Sequence, residues 1–231
     1  MRLKKSENQV MNGPLGLKHW RRWLAAAGLA VTLFPLSAVS ARADEDLAEG
    51  TLLVADKKLT DPNFEKTVVL IINYDDHGTV GLVVNRQGDV PVSTLLADTK
   101  AAKYRNDAAF SAGPVEPRSV LALLRARTGP KGAQHVAGDI WAILDQDLLE
   151  STLAGHAGPD RLRFYVGYAG WGPGQLEAEM DAGAWRAIHS NADTVFDATP
   201  ETLWERVTRT MDLRVAGLLG LKAPVPLRSR S

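Results

Sequence analysis

The sequence predicts one α+β domain that extends from about Asp44 to Ser231. Short apolar runs of strand length, rich in β-branched residues, alternate with turn residues along most of this span. Two later segments instead carry the apolar periodicity of helices. The 231 residues, of which 45% are apolar, are enough for one ordinary core but too few for two comfortable domains.

The first elements are predicted to be strands. Thr51–Ala55 has the length and the β-branched content of a buried strand, and Asp61-Pro62-Asn63-Phe64 then breaks the chain. Thr67–Tyr74 and Thr79–Asn85 form a hairpin, because two β-rich runs flank Asp75-Asp76-His77-Gly78, whose Asp and Gly residues suit a four-residue loop.

The middle of the chain is predicted to add a short helix and a second β layer. Val92–Ala97 follows a proline and has the length of a short helix. Ala109–Ser111 and Ser119–Leu124 are expected to be strands on either side of a turn at Gly113–Pro117.

The next elements alternate strand, helix and strand. Ile140–Leu144 is predicted to be a strand, and Asp145–Ala154 a helix that Gly155 stops. Its apolar positions fall on one face: Leu148, Leu149 and Leu153. Arg161–Tyr168 returns as a strand.

A last helix is predicted near the C-terminus. Thr199 is expected to cap it and Pro200 suits its first position. Leu203, Val207 and Met211 recur along one face beside Trp204, as in a helix that packs on a core. The apolar stretch 213–221 beyond it is expected to fray or to cover a partner surface.

The N-terminus resembles a secretory signal peptide. Basic residues through Arg22 precede the apolar run Trp23–Val39 and the small-residue site Ala41-Arg42-Ala43. Cleavage would leave residues 44–231 in the periplasm or outside the cell, whether translation starts at Met1 or Met11. An uncleaved inner-membrane anchor is the alternative, and general secretion is favoured over the twin-arginine route.

Charge and cysteine content exclude several classes of protein. Residues 44–231 hold 20 basic and 26 acidic residues, a net charge of −6, so binding to nucleic acid is not expected. Cysteine is absent, which excludes disulfides, thiolate metal sites and a Cys nucleophile.

A glycine-rich segment from 167 to 177, GYAGWGPGQLE, is the most distinctive motif, and we call it the Gly-Trp segment. The acidic stretch AEMDAGAW follows it at 178–185. Together these stretches resemble the hallmark of the AlgH/YqgE family. Further stretches agree with that family in order: Asp61-Pro62 with Phe64, Gly81-Leu82-Val83, Asn85-Arg86, Gly113-Pro114-Val115, and Phe196-Asp197 before Pro200 and Trp204.

The resemblance covers nearly all of residues 44–231. It implies a mixed, bifurcated β-sheet surrounded by helices, and a link to regulation of exopolysaccharide production without an established enzymatic activity. Family members are generally cytosolic, so the export pattern departs from the family and a cytosolic location is a further alternative. Asp56-Lys57 and Ala112-Gly113 also depart from the family pattern.

The Gly-Trp segment is the candidate binding site. In the structural interpretation its glycines provide φ > 0, Pro173 starts a helix and Trp171 packs as an anchor. In the functional interpretation a polar ligand binds there, with Trp171, Gln175 and Glu177 lining its pocket and backbone amides as donors. The candidate ligand-binding residues are Gly170, Trp171, Gly172, Gly174, Gln175 and Glu177.

The sequence gives little support for catalytic or metal-binding chemistry. Glu177 and Glu179 are two apart on a helix, so they point to different faces and cannot form a close carboxylate pair. Asp75, Asp76 and His77 have the ligand types of a weak divalent site, but a hairpin tip selects Asp for its geometry alone. No catalytic triad, metal site or cofactor is expected.

These observations favour a non-enzymatic binding or regulatory domain of the envelope. Its expected partner is a protein or a small polar ligand that contacts the surface around the Gly-Trp segment. An envelope hydrolase that uses Glu177 or another carboxylate is the alternative. A membrane-tethered interaction module follows if the signal peptide is not cleaved.

Overall fold

Ten strands carry most of the core in the computed structural model, which describes residues 47–155 and 157–218. The predicted signal peptide lies outside these residues. The strands are β1 (Thr51–Ala55), β2 (Val68–Asp75), β3 (Gly78–Val83), β4 (Gln87–Pro91), β5 (Ala108–Ser111), β6 (Val115–Arg125), β7 (Gln134–Ala137), β8 (Ile140–Ile143), β9 (Leu162–Trp171) and β10 (Trp185–His189). The helices are α1 (Val92–Leu95), α2 (Gln146–Ala154), α3 (Gln175–Asp181), α4 (Ala192–Val195) and α5 (Leu203–Leu218), with 3-10 turns at Lys100–Ala102 and Pro200–Thr202.

The sheet divides at β9. The first half of strand β9 lies between β5, which is parallel to it, and β6, which is antiparallel. Its second half pairs instead with β3, which leads on through β2 and β1 to β10. On the other side of β9, β6 leads on to β8 and then β7. The α+β class and the mixed, bifurcated sheet implied by the family resemblance are confirmed.

The core sits on both sides of this division. β1 and the first half of β2 are fully buried, as expected of continuous apolar runs at the centre of a sheet. α3 and α5 cover this part of the sheet with Leu176, Met180, Leu203 and Trp204. A second apolar cluster packs α2 against the other branch through Leu149 and Leu153.

Several predicted elements are confirmed close to their predicted ends. β1, β5, β8 and α2 lie where the sequence placed them. α2 begins as expected, because Asp145 accepts a hydrogen bond from the backbone N–H of Leu148 at 2.9 Å, and Gly155 follows its end.

Two turns differ from prediction. Asp75 pairs with Gly78, so the hairpin loop has two residues rather than four. The pairing of β2 with β3 also has a register shift between Ile71 and Asn73. The turn is also shorter than the predicted Gly113–Pro117, because β6 already starts at Val115. Pro117 lies in a stretch of β6 where the pairing with β9 is irregular.

The helix starts also need correction. α3 begins at Gln175 with Gly174 at its N-cap, so Pro173 precedes the helix and does not start it. Thr199 makes no capping hydrogen bond, and Pro200 opens a short 3-10 turn before α5. α1 ends at Leu95, two residues before its predicted end.

Three strands were not predicted from the sequence: β4, β7 and β10.

Over residues 47–155 and 157–218, no helix has the length and apolar content to cross a membrane.

Candidate functional site

The Gly-Trp segment comprises the end of a strand, a turn and the start of a helix. Gly170 and Trp171 end β9 and pair with Val80 and Thr79 of β3. Gly172–Gly174 form the turn that leads into α3. The candidate residues are therefore spread over a strand end, a turn and a helix start, all supported by the central sheet.

Trp171 packs inside the protein with two other aromatic side chains. It is only 2% exposed, and its ring centroid lies 5.9 Å from that of Phe64 and 5.8 Å from that of Trp185. Phe64 also meets Trp185 at 5.6 Å. These are ordinary aromatic packing distances, so Trp171 is the anchor that the structural interpretation expects.

Glu179 ties this aromatic cluster to α3. Its Oε2 accepts hydrogen bonds from the indole N–H groups of Trp171 at 3.0 Å and Trp185 at 2.8 Å. Its Oε1 accepts a third from the Gln175 amide at 3.0 Å. A carboxylate with three donors connects β9, β10 and α3. Sequence reasoning missed this role, because an acidic residue on a short helix is usually exposed.

Gln175 closes the turn before α3. Its side-chain oxygen accepts from the backbone N–H of Gly172 at 3.1 Å, while its nitrogen donates to Glu179. Both ends of this amide are therefore used within the protein.

Glu177 lies in the first turn of α3 and is half-buried. Its Oε1 accepts a hydrogen bond from the Tyr74 hydroxyl at 2.7 Å, which joins β2 to the helix. This hydrogen bond, followed by burial and by the nearby negative charge, raises the pKa of Tyr74 to about 12. Glu177 and Glu179 have different partners, as their spacing predicts.

The glycines of the segment have different roles. Gly174 has a φ of 72°, whereas Gly170 and Gly172 are not in the left-handed region. Gly167 is also left-handed, and a Cβ there would lie 2.6 Å from the carbonyl oxygen of Gly113. The sequence identified a glycine-rich segment but not which glycines the backbone requires.

The hairpin tip has the geometry of a turn. The side chain of Asp75 accepts from the backbone N–H of His77 at 2.8 Å, the local bond for which Asp is selected in turns. Across residues 47–155 and 157–218, no three His, Asp or Glu side chains are grouped so that they would hold a metal ion.

Comparison with known proteins gives the same family by sequence and by structure. A family model described as AlgH-like matches residues 52–216. A UPF0301 protein of Streptomyces coelicolor is 38% identical over 183 residues, covering 77% of this chain and 91% of that protein. A UPF0301 protein of Myxococcus xanthus is 35% identical over 178 residues, covering 76% and 96%.

Two solved structures share the fold. The solution structure of the AlgH protein from Pseudomonas aeruginosa has a TM-score of 0.60 at 25% identity, covering 77% of this chain and 95% of that one. A crystal structure from Corynebacterium diphtheriae has the same TM-score at 22% identity, covering 81% and 93%.

Proposed function

The chain belongs to the AlgH-like family, and we propose that it is a non-enzymatic binding domain that acts in the cell envelope after export. The family resemblance predicted from the Gly-Trp segment is thereby confirmed. Export is supported by the basic, apolar and small-residue pattern of residues 1–43. In this proposal α3 displays the recognition surface.

The observation that carries the binding proposal is the fixed carboxylate of Glu177. It is half-buried and held by the Tyr74 hydroxyl at 2.7 Å, so it is ordered before any partner arrives. A side chain that is already ordered loses less conformational entropy on binding. A carboxylate accepts strong hydrogen bonds from cationic and N–H groups, which are the partner chemistry that we propose.

Three neighbours of Glu177 extend this surface, which we call the α3 ridge: Pro173, Gly174 and Asp181 are exposed, and Asp181 shares a helix face with Glu177. The ridge stands on a supported helix, because Glu179 fixes α3 to β9 and β10 through Trp171 and Trp185. Binding surfaces built on such supported elements keep their geometry.

The test is capture of partners from the native envelope by the protein as its host produces it. We expect Glu177→Gln to lose the captured partner, because it removes the charge and leaves an acceptor for Tyr74. Glu205→Gln is the matched control, since Glu205 is an exposed carboxylate on a different helix, α5. Capture of the same partner by wild type and by Glu177→Gln would refute the proposal.

Export has its own test. Mass spectrometry of the protein from its native host should show a chain that begins at Asp44. An intact Trp23–Val39 segment in the membrane fraction would instead support a tethered module.

A further inference from the structure

A cleft of about 750 Å³ opens where β6 ends and β9 begins, away from the α3 ridge. Three arginines, two aspartates and one aromatic residue line it: Arg125, Arg127, Arg161, Asp139, Asp160 and Phe196. The sheet brings these together, because the backbone N–H of Arg125 donates to the carbonyl of Arg161 at 2.7 Å. The N–H of Ala126 likewise donates to the carbonyl of Asp139 at 2.8 Å.

The charges of the cleft are not fully paired within the protein. Arg125 is paired within the protein, since its guanidinium forms ion pairs with the carboxylates of Asp139 at 3.1 Å and Asp193 at 2.8 Å. Arg127 and Arg161 are exposed, and neither forms an ion pair with any residue in 47–155 or 157–218. Asp160 is the one lining carboxylate that is left to oppose these two guanidinium groups.

A fourth arginine lies behind the aromatic wall of the cleft. Arg163 is 7% exposed, and its guanidinium lies 5.6 Å from the ring centre of Phe196. It donates to the carbonyl oxygens of Pro159, Val195 and Asp197, and none of the described carboxylates lies within ion-pair distance of it. A buried cation without a counter-ion makes the potential in the adjacent cleft more positive.

We propose that this cleft binds a small molecule that carries a phosphate monoester, with Arg127 and Arg161 as its principal ligands. Guanidinium groups match phosphate oxygens in pairs of parallel hydrogen bonds. The cleft is open to solvent on one side, which leaves room beside the two arginines for the body that the phosphate esterifies.

Phosphate fits this arrangement better than carboxylate does. Arg127 and Arg161 both line the cleft, and a phosphate ester has three terminal oxygens, enough to accept hydrogen bonds from two guanidinium groups at once. A carboxylate has two oxygens and is satisfied by one fork. The surrounding domain is acidic, with a net charge of −6 over residues 44–231. The unpaired arginines of this cleft are therefore a local concentration of positive charge on an acidic domain.

Titration calorimetry at low salt tests the proposal with glucose 6-phosphate and AMP as esters. Inorganic phosphate and glucose are the comparison ligands. We expect saturable binding of at least one ester, weaker binding of inorganic phosphate and no binding of glucose. The preferred ester identifies the kind of body that the cleft accepts. Absence of ester binding up to about 10 mM would overturn the proposal.

Substitutions locate the binding in the cleft. Arg127→Gln and Arg161→Gln should each weaken ester binding roughly tenfold, through loss of a charge-assisted pair of hydrogen bonds. Arg118→Gln removes an exposed arginine that does not line the cleft and should leave the affinity unchanged. Equal affinities of wild type and the three variants for the ester, with unchanged melting curves, would show that the ester binds elsewhere and would refute the site.

Discussion

The α3 side of the sheet and the arginine cleft use their polar groups in different ways. On α3, Glu179 accepts three hydrogen bonds from within the chain and Glu177 accepts one from Tyr74. In the cleft, Arg127 and Arg161 have no ion-pair partner among the residues that the structure describes. The three hydrogen bonds to Glu179 contribute to stability, whereas Glu177, which accepts a single bond, and the exposed unpaired arginines of the cleft stay available to a ligand. Substitutions around Glu179 should therefore change stability, and those in the cleft should change binding.

The largest effect is expected at Trp171. Trp171→Ala should lower the free energy of unfolding by roughly 3–5 kcal/mol, because it removes a buried indole from the aromatic cluster. Urea denaturation measures this loss. Tyr104→Ala is the matched control, since Tyr104 is 80% exposed and its removal should cost within about 0.5 kcal/mol. Equal losses in the two variants would show that Trp171 is not an anchor.

A smaller effect is expected at the turn before α3. Gly174→Ala should cost on the order of 1–2 kcal/mol, because a residue with a Cβ is strained at a φ of 72°. Space is not the reason, since a Cβ there meets nothing within 4 Å. Gly172→Ala is the comparison and should cost less, because Gly172 is outside the left-handed region. If both variants unfold at the same urea concentration, the strain argument fails.

Tyr74 should make stability depend on pH at the alkaline end. Its pKa is about 12 in the folded protein, through the hydrogen bond to Glu177, against an ordinary value of 10.0. The unfolded chain therefore loses this proton first, and the free energy of unfolding should fall as the pH rises from about 10 to about 12. Tyr74→Phe should flatten this slope, as measured by urea denaturation across that range. Tyr165 and Tyr168 also have raised pKa values, but they are present in both proteins. An unchanged slope in Tyr74→Phe would contradict the role of this hydrogen bond.

The smallest effect is expected at the hairpin tip. His77→Ala keeps the backbone N–H that donates a hydrogen bond to Asp75, so the free energy of unfolding should change by no more than about 0.5 kcal/mol. Elemental analysis of both proteins is the second readout. A divalent ion found in wild type and missing from His77→Ala would make the tip a metal site and not a turn alone.

Local patterns in the sequence predict much of the fold. The hairpin, β1, β8 and α2 follow from β-branched runs, from turn residues and from the apolar helix face that ends before Gly155. β4 was missed because it is a short, mostly exposed strand with the sequence QGDVP, which lacks the pattern of a buried strand. The strand predicted over Arg161–Tyr168 ends before Gly170 and Trp171, yet pairing with β3 holds both in the sheet.

The sites depend on residues far apart in the chain, which is why sequence reasoning found only part of them. The motif at 167–177 identified the family and Glu177, but its partner Tyr74 is 103 residues away. The arginine cleft joins residues from 125 to 196 that have no local motif in common. Such convergence follows from strand order, which single-sequence patterns do not specify.

Glu177 and Glu179 test most directly the claim that α3 combines a structural face with a recognition face. The measurement is urea unfolding of Glu179→Gln and Glu177→Gln in parallel. A glutamine at 179 cannot accept from all three donors, so one N–H group loses its partner at a cost of about 1–3 kcal/mol. A glutamine at 177 still offers an oxygen to Tyr74, so its cost should stay within about 0.5 kcal/mol. Equal stabilities for the two variants, or a larger loss at Glu177, would contradict the division of roles on this helix.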